Sequence, residues 1–501
     1  MAERTRFDVA VVGAGNAALC AAHAARQAGA SVLMLERAPA AESGGNSRFT
    51  AGAMRVAYDG VDDLRALMPD LSDEEVARTD FGTYSENQFF DDMFRMTQYR
   101  CDPDLVELLV RCSKATLLWM RELGVRFVPI YGRQAFKVDG RFKFWGGLTV
   151  EAAGGGPGLV ETLTGAANAR GIEIWTKARA TELDFDGVQV NGVKVRRGGG
   201  APETVSARAV ILASGGFQAN PEMRTRYLGP GWDTAKVRGT RYNAGDGINM
   251  ALAIGAASYG HWSGCHAVSW DRNAPEFGDL EVGDQFQKHS YPFGVMVNAE
   301  GRRFVDEGAD FRNYTYAKYG AVVLRQPGQF AWQIFDNKVT HLLRGEYRIK
   351  QVTKVAADTL EDLAAKMDGV DAAQFLKEIA AYNRAVRQDI AFDPNVKDGR
   401  RTEGLAIDKT NWANTIDAPP FEAYHLHFPP LALTYRCASA GHRLPADPAP
   451  LCRRRTGRRN LLSQLPRRHG PDLRRRLRPH RRHQRRDRRI APIAPTRYPD
   501  R

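Results

Sequence analysis

Cysteine is scarce in this sequence: six in 501 residues, at positions 20, 101, 112, 265, 437 and 452, with no CxxC or CxxCH spacing among them. That scarcity argues against an iron–sulfur cluster, a structural zinc site, covalently attached haem and a disulfide framework, and it predicts scattered reduced thiols. Long apolar runs are missing too, so no transmembrane span is expected. The first residues show no charged segment followed by an apolar run and a cleavage site, because their apolar residues already read as strand and helix; a cytoplasmic protein is the expectation. Lysine is absent from residues 436–501, which hold 21 arginines and 4 acids, net +17. The first 435 residues are left with 50 bases and 54 acids, net −4, inside an overall charge of +13. A basic footprint is therefore confined to the tail. A nucleic-acid-binding protein acting through that tail is the alternative from another functional class, and the body gives it no support.

What is present is ordinary globular composition, 43% hydrophobic and 26% charged, with length for two or three domains. The chain is organised around its start. Phe7 to Val12 read as a buried strand, Gly13-Ala14-Gly15 turn sharply, Asn16 to Gln27 continue as an alanine-rich helix, and Ser31 to Leu35 form a second strand. In this βαβ unit Gly13 permits the tight turn and Gly15 lets backbone approach a pyrophosphate. Ala18, a small third position, lets helix pack on strand, and the helix N-terminus offers free N–H groups to phosphate. Glu36 closes the second strand where an acid can accept bonds from a ribose.

Further along, Glu42 to Met54 form a glycine and hydroxyl loop able to wrap a phosphate and the edge of a flat ring. Residues 60–135 read as helical, with apolar stripes from Asp104 to Leu123 that predict core packing. A glycine run, 154–158, precedes a helix predicted from Leu159 to Arg170, then a strand from Glu173 to Lys177 and a hairpin from Leu183 to Arg196. Ala209 to Ala213 form a buried strand closing on Gly215 and Gly216, where open α/β sheets place ligands. Asn243-Ala244-Gly245-Asp246-Gly247 opens the next helix.

Together the fingerprint with Glu36, the GGNSRFTAGAM loop, the ILASGGF strand end, NAGDG and residues 301–320 resemble the flavoproteins of the fumarate reductase, succinate dehydrogenase and 3-ketosteroid dehydrogenase family. Within it, GAGNAALCAA followed by GGNSR and the 301–320 segment is most similar to FAD-dependent tricarballylate dehydrogenases. The resemblance covers residues 7 to about 430. It implies an α/β fold in which a Rossmann-like FAD-binding domain (1–255) is followed by an α+β substrate-capping domain (256–428), with 429–501 as a degenerate remnant of the last FAD-binding segment. Carried over by motif, Gly13, Gly15, Ala17 and Ala18 hold the pyrophosphate and Glu36 the ribose. Asn46, Ser47, Ala51 and Gly52 line the flavin, and Ala180, Ala213, Gly215 and Asp246 complete the nucleotide site. Arg312 becomes the proton-transferring residue. His266 and Gly52 meet the substrate, although His266 lacks the proline that usually follows and has His261 and His289 as rivals. An arginine is normally always charged, so Arg312 needs acids beside it, and Asp306, Glu307 and Asp310 are near in sequence.

The activity implied is oxidation of a C–C bond beside a carboxylate, tricarballylate to cis-aconitate, by hydride transfer to flavin N5. Electrons then pass to a separate acceptor, a membrane-bound electron-transfer protein being one such. Fumarate-reductase-like and 3-ketosteroid-dehydrogenase-like chemistry are the enzymatic alternatives. From Arg436 onward the sequence departs from the family: an Ala-Gly-Glu turn and a Gly-Thr-Gly-Leu helix start are absent, and an arginine-rich, proline-broken stretch without apolar periodicity stands there. Arginine codons beginning CG, read one base later, begin with G and become Gly, Ala, Val or Asp. Reading 452–487 in that frame restores both motifs in order, so a reading-frame error is the expectation for the tail.

Overall fold

Arg6–Val12 lies at the centre of a six-stranded sheet in the computed structural model, which describes residues 6–144, 147, 149–427 and 431–432. The strand order is Ala178–Phe185, Val190–Arg197, Glu203–Leu212, Arg6–Val12, Val32–Leu35, Glu173–Trp175. Arg6–Val12 pairs in parallel with both Glu203–Leu212 and Val32–Leu35, and Val32–Leu35 in parallel with Glu173–Trp175. Strands covered on both faces read as near-continuous apolar runs, and Val32–Leu35 is buried at every position. On one face the alanine-rich helix Asn16–Gln27 packs against Gly155–Ala169, with Ala18, Leu19 and Ala22 meeting Leu159, Val160 and Leu163 in one core. The long helix Pro103–Glu122, started by Asp102 accepting from the Leu105 N–H, adds Val106, Val110 and Leu117 to the same core. On the other face the hairpin strands bury Leu183, Val193 and Val195 with Leu33 and Leu35.

Several sequence-predicted elements shift. The helix expected from Leu159 begins at Gly155, because the glycine run is itself the first turn: a Cβ on Gly156 would stand 2.1 Å from the Ser47 carbonyl oxygen. The strand expected from Ala209 begins at Glu203 and pairs at its start with the hairpin. The loop from Glu42 is wound into a short 3-10 turn over Gly45–Phe49 and then the strand Ala53–Met54. Cys20, Cys101 and Cys265 are free thiols as expected, whereas Cys112 is disulfide-bonded. No helix among the described residues is long and apolar enough to cross a membrane.

A second sheet is built from residues 270–427. Phe421–His427 pairs antiparallel with Phe330–Phe335, which pairs with Val295–Val297; Trp270–Asp271 and Lys354–Ala357 line the other edge of Phe421–His427. Leu360–Lys366 and Ala372–Ala385 bury Leu363, Phe375 and Ile379 against it. Helix Arg312–Leu324 packs on the opposite side, where Tyr319 and Val323 meet Tyr291, Met296 and Leu426. The two-residue strand His266–Ala267 pairs with Leu431–Ala432 and lies against that helix. The arginine-rich tail and its expected frame error lie outside the described residues.

Candidate functional site

The carboxyl ends of Arg6–Val12 and Glu203–Leu212 meet at Gly13 and Ala213. Gly13 takes φ +114°, and a Cβ there would stand 2.5 Å from the Ala213 carbonyl oxygen, so only glycine fits. Helix Asn16–Gln27 starts at Gly15 with no side-chain cap, which leaves first-turn N–H groups for an anion; the Asn16 N–H is taken by Ser47 Oγ at 3.0 Å. That bond draws the second loop over the first. Asn46 Oδ1 accepts from the Thr240 N–H at 3.0 Å, and a Cβ on Gly239 would lie 2.1 Å from the same oxygen. Gly52 (φ +68°) abuts Gly155, and the Gly156 N–H donates to Thr50 O at 2.9 Å. Gly13, Gly15, Asn46, Ser47, Ala51 and Gly52 thus share one backbone-lined trough. Ala18 is fully buried under it, and Ala17 is exposed on the first turn.

Glu36 is 6% exposed; Oε1 accepts from the Ala38 N–H at 2.7 Å, and burial raises its pKa while backbone N–H bonds lower it. Gly215 (φ +75°) leaves no room for a Cβ beside Asn243. Ala180 sits in the sheet core, 4% exposed. Asp246 accepts from Arg179 at 2.9 and 3.0 Å and from Arg37 at 3.0 Å, so its carboxylate is committed to two guanidiniums. A dinucleotide fits this chemistry: uncapped amides for phosphates, a buried acid for ribose hydroxyls, and glycines wherever backbone must approach.

The second group of residues is gathered by helix Arg312–Leu324. Arg312 is the first helical residue, where a cation opposes the helix dipole, which does not favour helix stability. Burial and the charge of Arg344 pull its pKa down to about 9, against the upward pull of Glu346, Tyr291 and Tyr316. Asp306, Glu307 and Asp310, expected from sequence to serve it, have other partners: Thr410 for Asp306, Arg303 for Glu307, and Arg95 and Lys397 for Asp310. Glu346, 6% exposed, is the acid whose charge bears on Arg312, and it accepts from Arg344 Nε at 3.1 Å. Arg344 in turn donates to Gly132 O at 3.2 Å.

Tyr316, one turn on from Arg312, is flanked by two histidines, with ring centroids 5.1 Å away at His266 and 4.8 Å at His289. His266 keeps some accessible surface, yet its Nδ1 is buried without a hydrogen-bond partner. Burial first, then the charge of Arg238, push its pKa down to about 3, which keeps the ring neutral. Tyr291 and Thr315 share a 2.6 Å hydroxyl bond beneath. His261, the other rival, packs against Gly264 instead. Sequence reasoning missed Glu346, Arg344, Tyr316 and Arg238. Only Tyr316 carried a signal, its i+4 spacing from Arg312.

The fold and trough define a dinucleotide-binding α/β protein whose second sheet carries a cluster of cationic and aromatic side chains. Comparison with known proteins makes this specific: residues 8–429 match the model of the FAD binding domain family, and the chain belongs to that family, with FAD as its cofactor. It is 30% identical over 395 residues to a probable fumarate reductase of Shewanella frigidimarina, covering 77% of this chain and 60% of that protein. It is 24% identical over 466 residues to a 3-oxosteroid 1-dehydrogenase of Mycobacterium tuberculosis, covering 77% and 80%. The open conformation of a flavocytochrome c3 fumarate reductase superposes with a TM-score of 0.62 at 25% identity, covering 86% of this chain and 68% of that one. The chain spans about 60% of the length of the Shewanella fumarate reductases it matches.

Proposed function

We propose that the protein is an FAD-dependent enzyme that removes hydrogen across a C–C bond beside a carboxylate, with tricarballylate as substrate and cis-aconitate as product. The observation that carries this reading is Arg312: a guanidinium with depressed basicity, at a helix start it does not help, under the charge of Glu346. FAD supplies a two-electron acceptor for hydride when bound. The residues of this chain handle the proton. Neutral Arg312 accepts the proton released at the carbon next to the carboxylate; cationic Arg312 returns it in the reverse direction. Neutral His266 and His289 offer ring nitrogens to the substrate without adding charge, and Tyr316 holds the two rings apart.

On this reading residues 256–428 are the substrate-capping domain and 1–255 the FAD-binding part, while 429–501 stand where a final FAD-binding segment belongs, altered by a frame error. Tricarballylate is favoured over other acids by the GAGNAALCAA and GGNSR motifs. A reductase is the second reading, favoured by the fumarate reductases among the relatives. Anaerobic titration of FAD-loaded protein distinguishes them. Bleaching of the flavin band by tricarballylate, and not by succinate or a 3-ketosteroid, supports the first. Reoxidation of prereduced protein by fumarate, without bleaching by tricarballylate, supports the second.

A further inference from the structure

The segment 237–240 runs between the trough and the histidine pair. Gly239 is pressed on Asn46, the Thr240 N–H bonds Asn46 Oδ1, and the Gly278 N–H donates to Gly239 O at 2.8 Å, which fixes the backbone on both sides of Arg238. Arg238 itself is 13% exposed at the side chain. Its Nε faces Asp284 Oδ1 at 2.6 Å, and that carboxylate is 5% exposed. Among the described residues this ion pair is its one polar contact, so the two terminal amino groups of a largely buried guanidinium have no partner. A buried cation left in that state costs free energy unless an anion completes it. Asp284 takes one edge of the planar group and leaves the opposite edge, with its two parallel N–H bonds, free to meet a carboxylate in fork-to-fork geometry. The charge of Arg238 also reaches His266.

We propose that Arg238 is a specificity-determining residue that binds a carboxylate of the substrate, held in place by Asp284 between the flavin-lining loop and His266. The inference rests on the proposed oxidation of a polycarboxylate and deepens it. Arg238 would anchor one carboxylate while Arg312 acts on the carbon beside another, a division that selects acids carrying at least two carboxylates over a neutral steroid. Asp284 is a positioning residue: without it the guanidinium keeps its charge and loses its orientation.

The test is tricarballylate binding to the full chain, read by isothermal titration and by thermal stabilisation, with 4-androstene-3,17-dione as the neutral comparison. Losing a charge-assisted bidentate contact should weaken tricarballylate binding about 30-fold in Arg238→Gln, with FAD content and steroid response unchanged. Arg238→Lys, which keeps the charge and the partner Asp284 but has no fork, should lose about tenfold, and Asp284→Asn less than that. Should the Gln variant fail to fold, the Lys variant carries the test. Binding within about threefold of the parent in a folded Arg238 variant overturns the inference and leaves the polycarboxylate reading intact. A parent chain that binds the steroid and no carboxylate overturns both.

Discussion

The FAD trough and the Arg312 cluster are built by opposite means. The trough is made of backbone: Gly13, Gly15 and Gly52 bring main-chain atoms together, and its defining residues fall mainly within 40 positions of one another. The cluster is made of side chains from five separate segments, at 238, 266, 289, 312 and 344–346, which meet only through tertiary packing. A backbone site tolerates side-chain change and fails when a glycine is lost. A side-chain site should respond in the reverse way.

The largest expected effect tests the first half of that contrast. In Gly13→Val a branched side chain would occupy the place where the Ala213 oxygen already stands 2.5 Å from a Cβ, at a φ that valine does not adopt. FAD should be lost on purification, seen as absent flavin absorbance. Retention of stoichiometric FAD would break the comparison on the trough side.

Next, Arg312→Lys should keep FAD and lose turnover by more than about a hundredfold, roughly 2.7 kcal/mol of barrier, because an ammonium lacks the planar donor set and the tuned basicity. Glu346→Gln should retain part of the rate. Its signature is the pH profile: without that carboxylate the pKa of Arg312 falls below about 9, and the profile should move to lower pH.

The profile itself is the third test. Cationic Arg312 cannot accept a proton, so with a pKa of about 9 dehydrogenation should rise about tenfold per pH unit from pH 7 and level off above 9. Reduction of the unsaturated acid should do the opposite. A dehydrogenation rate that is flat between pH 7 and 9 would remove Arg312 from proton transfer.

The smallest effect lies outside both sites. His425 is 3% exposed, stacks on Phe330, and has its pKa pushed down to about 3 by burial and by the charges of Arg272 and His427. The folded state therefore prefers the neutral ring: this stability is present above the ordinary histidine value of about 6.5 and is lost as pH falls from there toward 3. His425→Phe, which keeps the stack, should reduce the destabilisation between pH 7 and 5 by up to about 2 kcal/mol. An unchanged slope in chemical denaturation would assign the acid sensitivity elsewhere.

How legible each region was in the sequence follows from the same contrast. The strand, turn and helix from Arg6 to Gln27 were readable because period, glycine spacing and alanine content are local properties. The glycine run at 154–158 was misread as a loop, since its helical first turn exists only because Ser47 and Thr50 pack on it. Arg312 was found through its motif, but its acid was sought among sequence neighbours. The neighbours proved to be occupied by Arg303, Thr410, Arg95 and Lys397, and Glu346 arrives from 34 residues away through the fold. Arg238 gave no sequence signal, because its meaning depends on a partner, Asp284, that only tertiary packing supplies.

The most direct test of the central claim, that Arg312 is the proton-transferring residue beside bound FAD, is anaerobic mixing of flavin-loaded protein with tricarballylate, parent against Arg312→Lys. The parent flavin should bleach within turnover time, while the variant keeps its oxidised spectrum and its full complement of FAD. Bleaching of the variant at a rate within about tenfold of the parent would contradict the account.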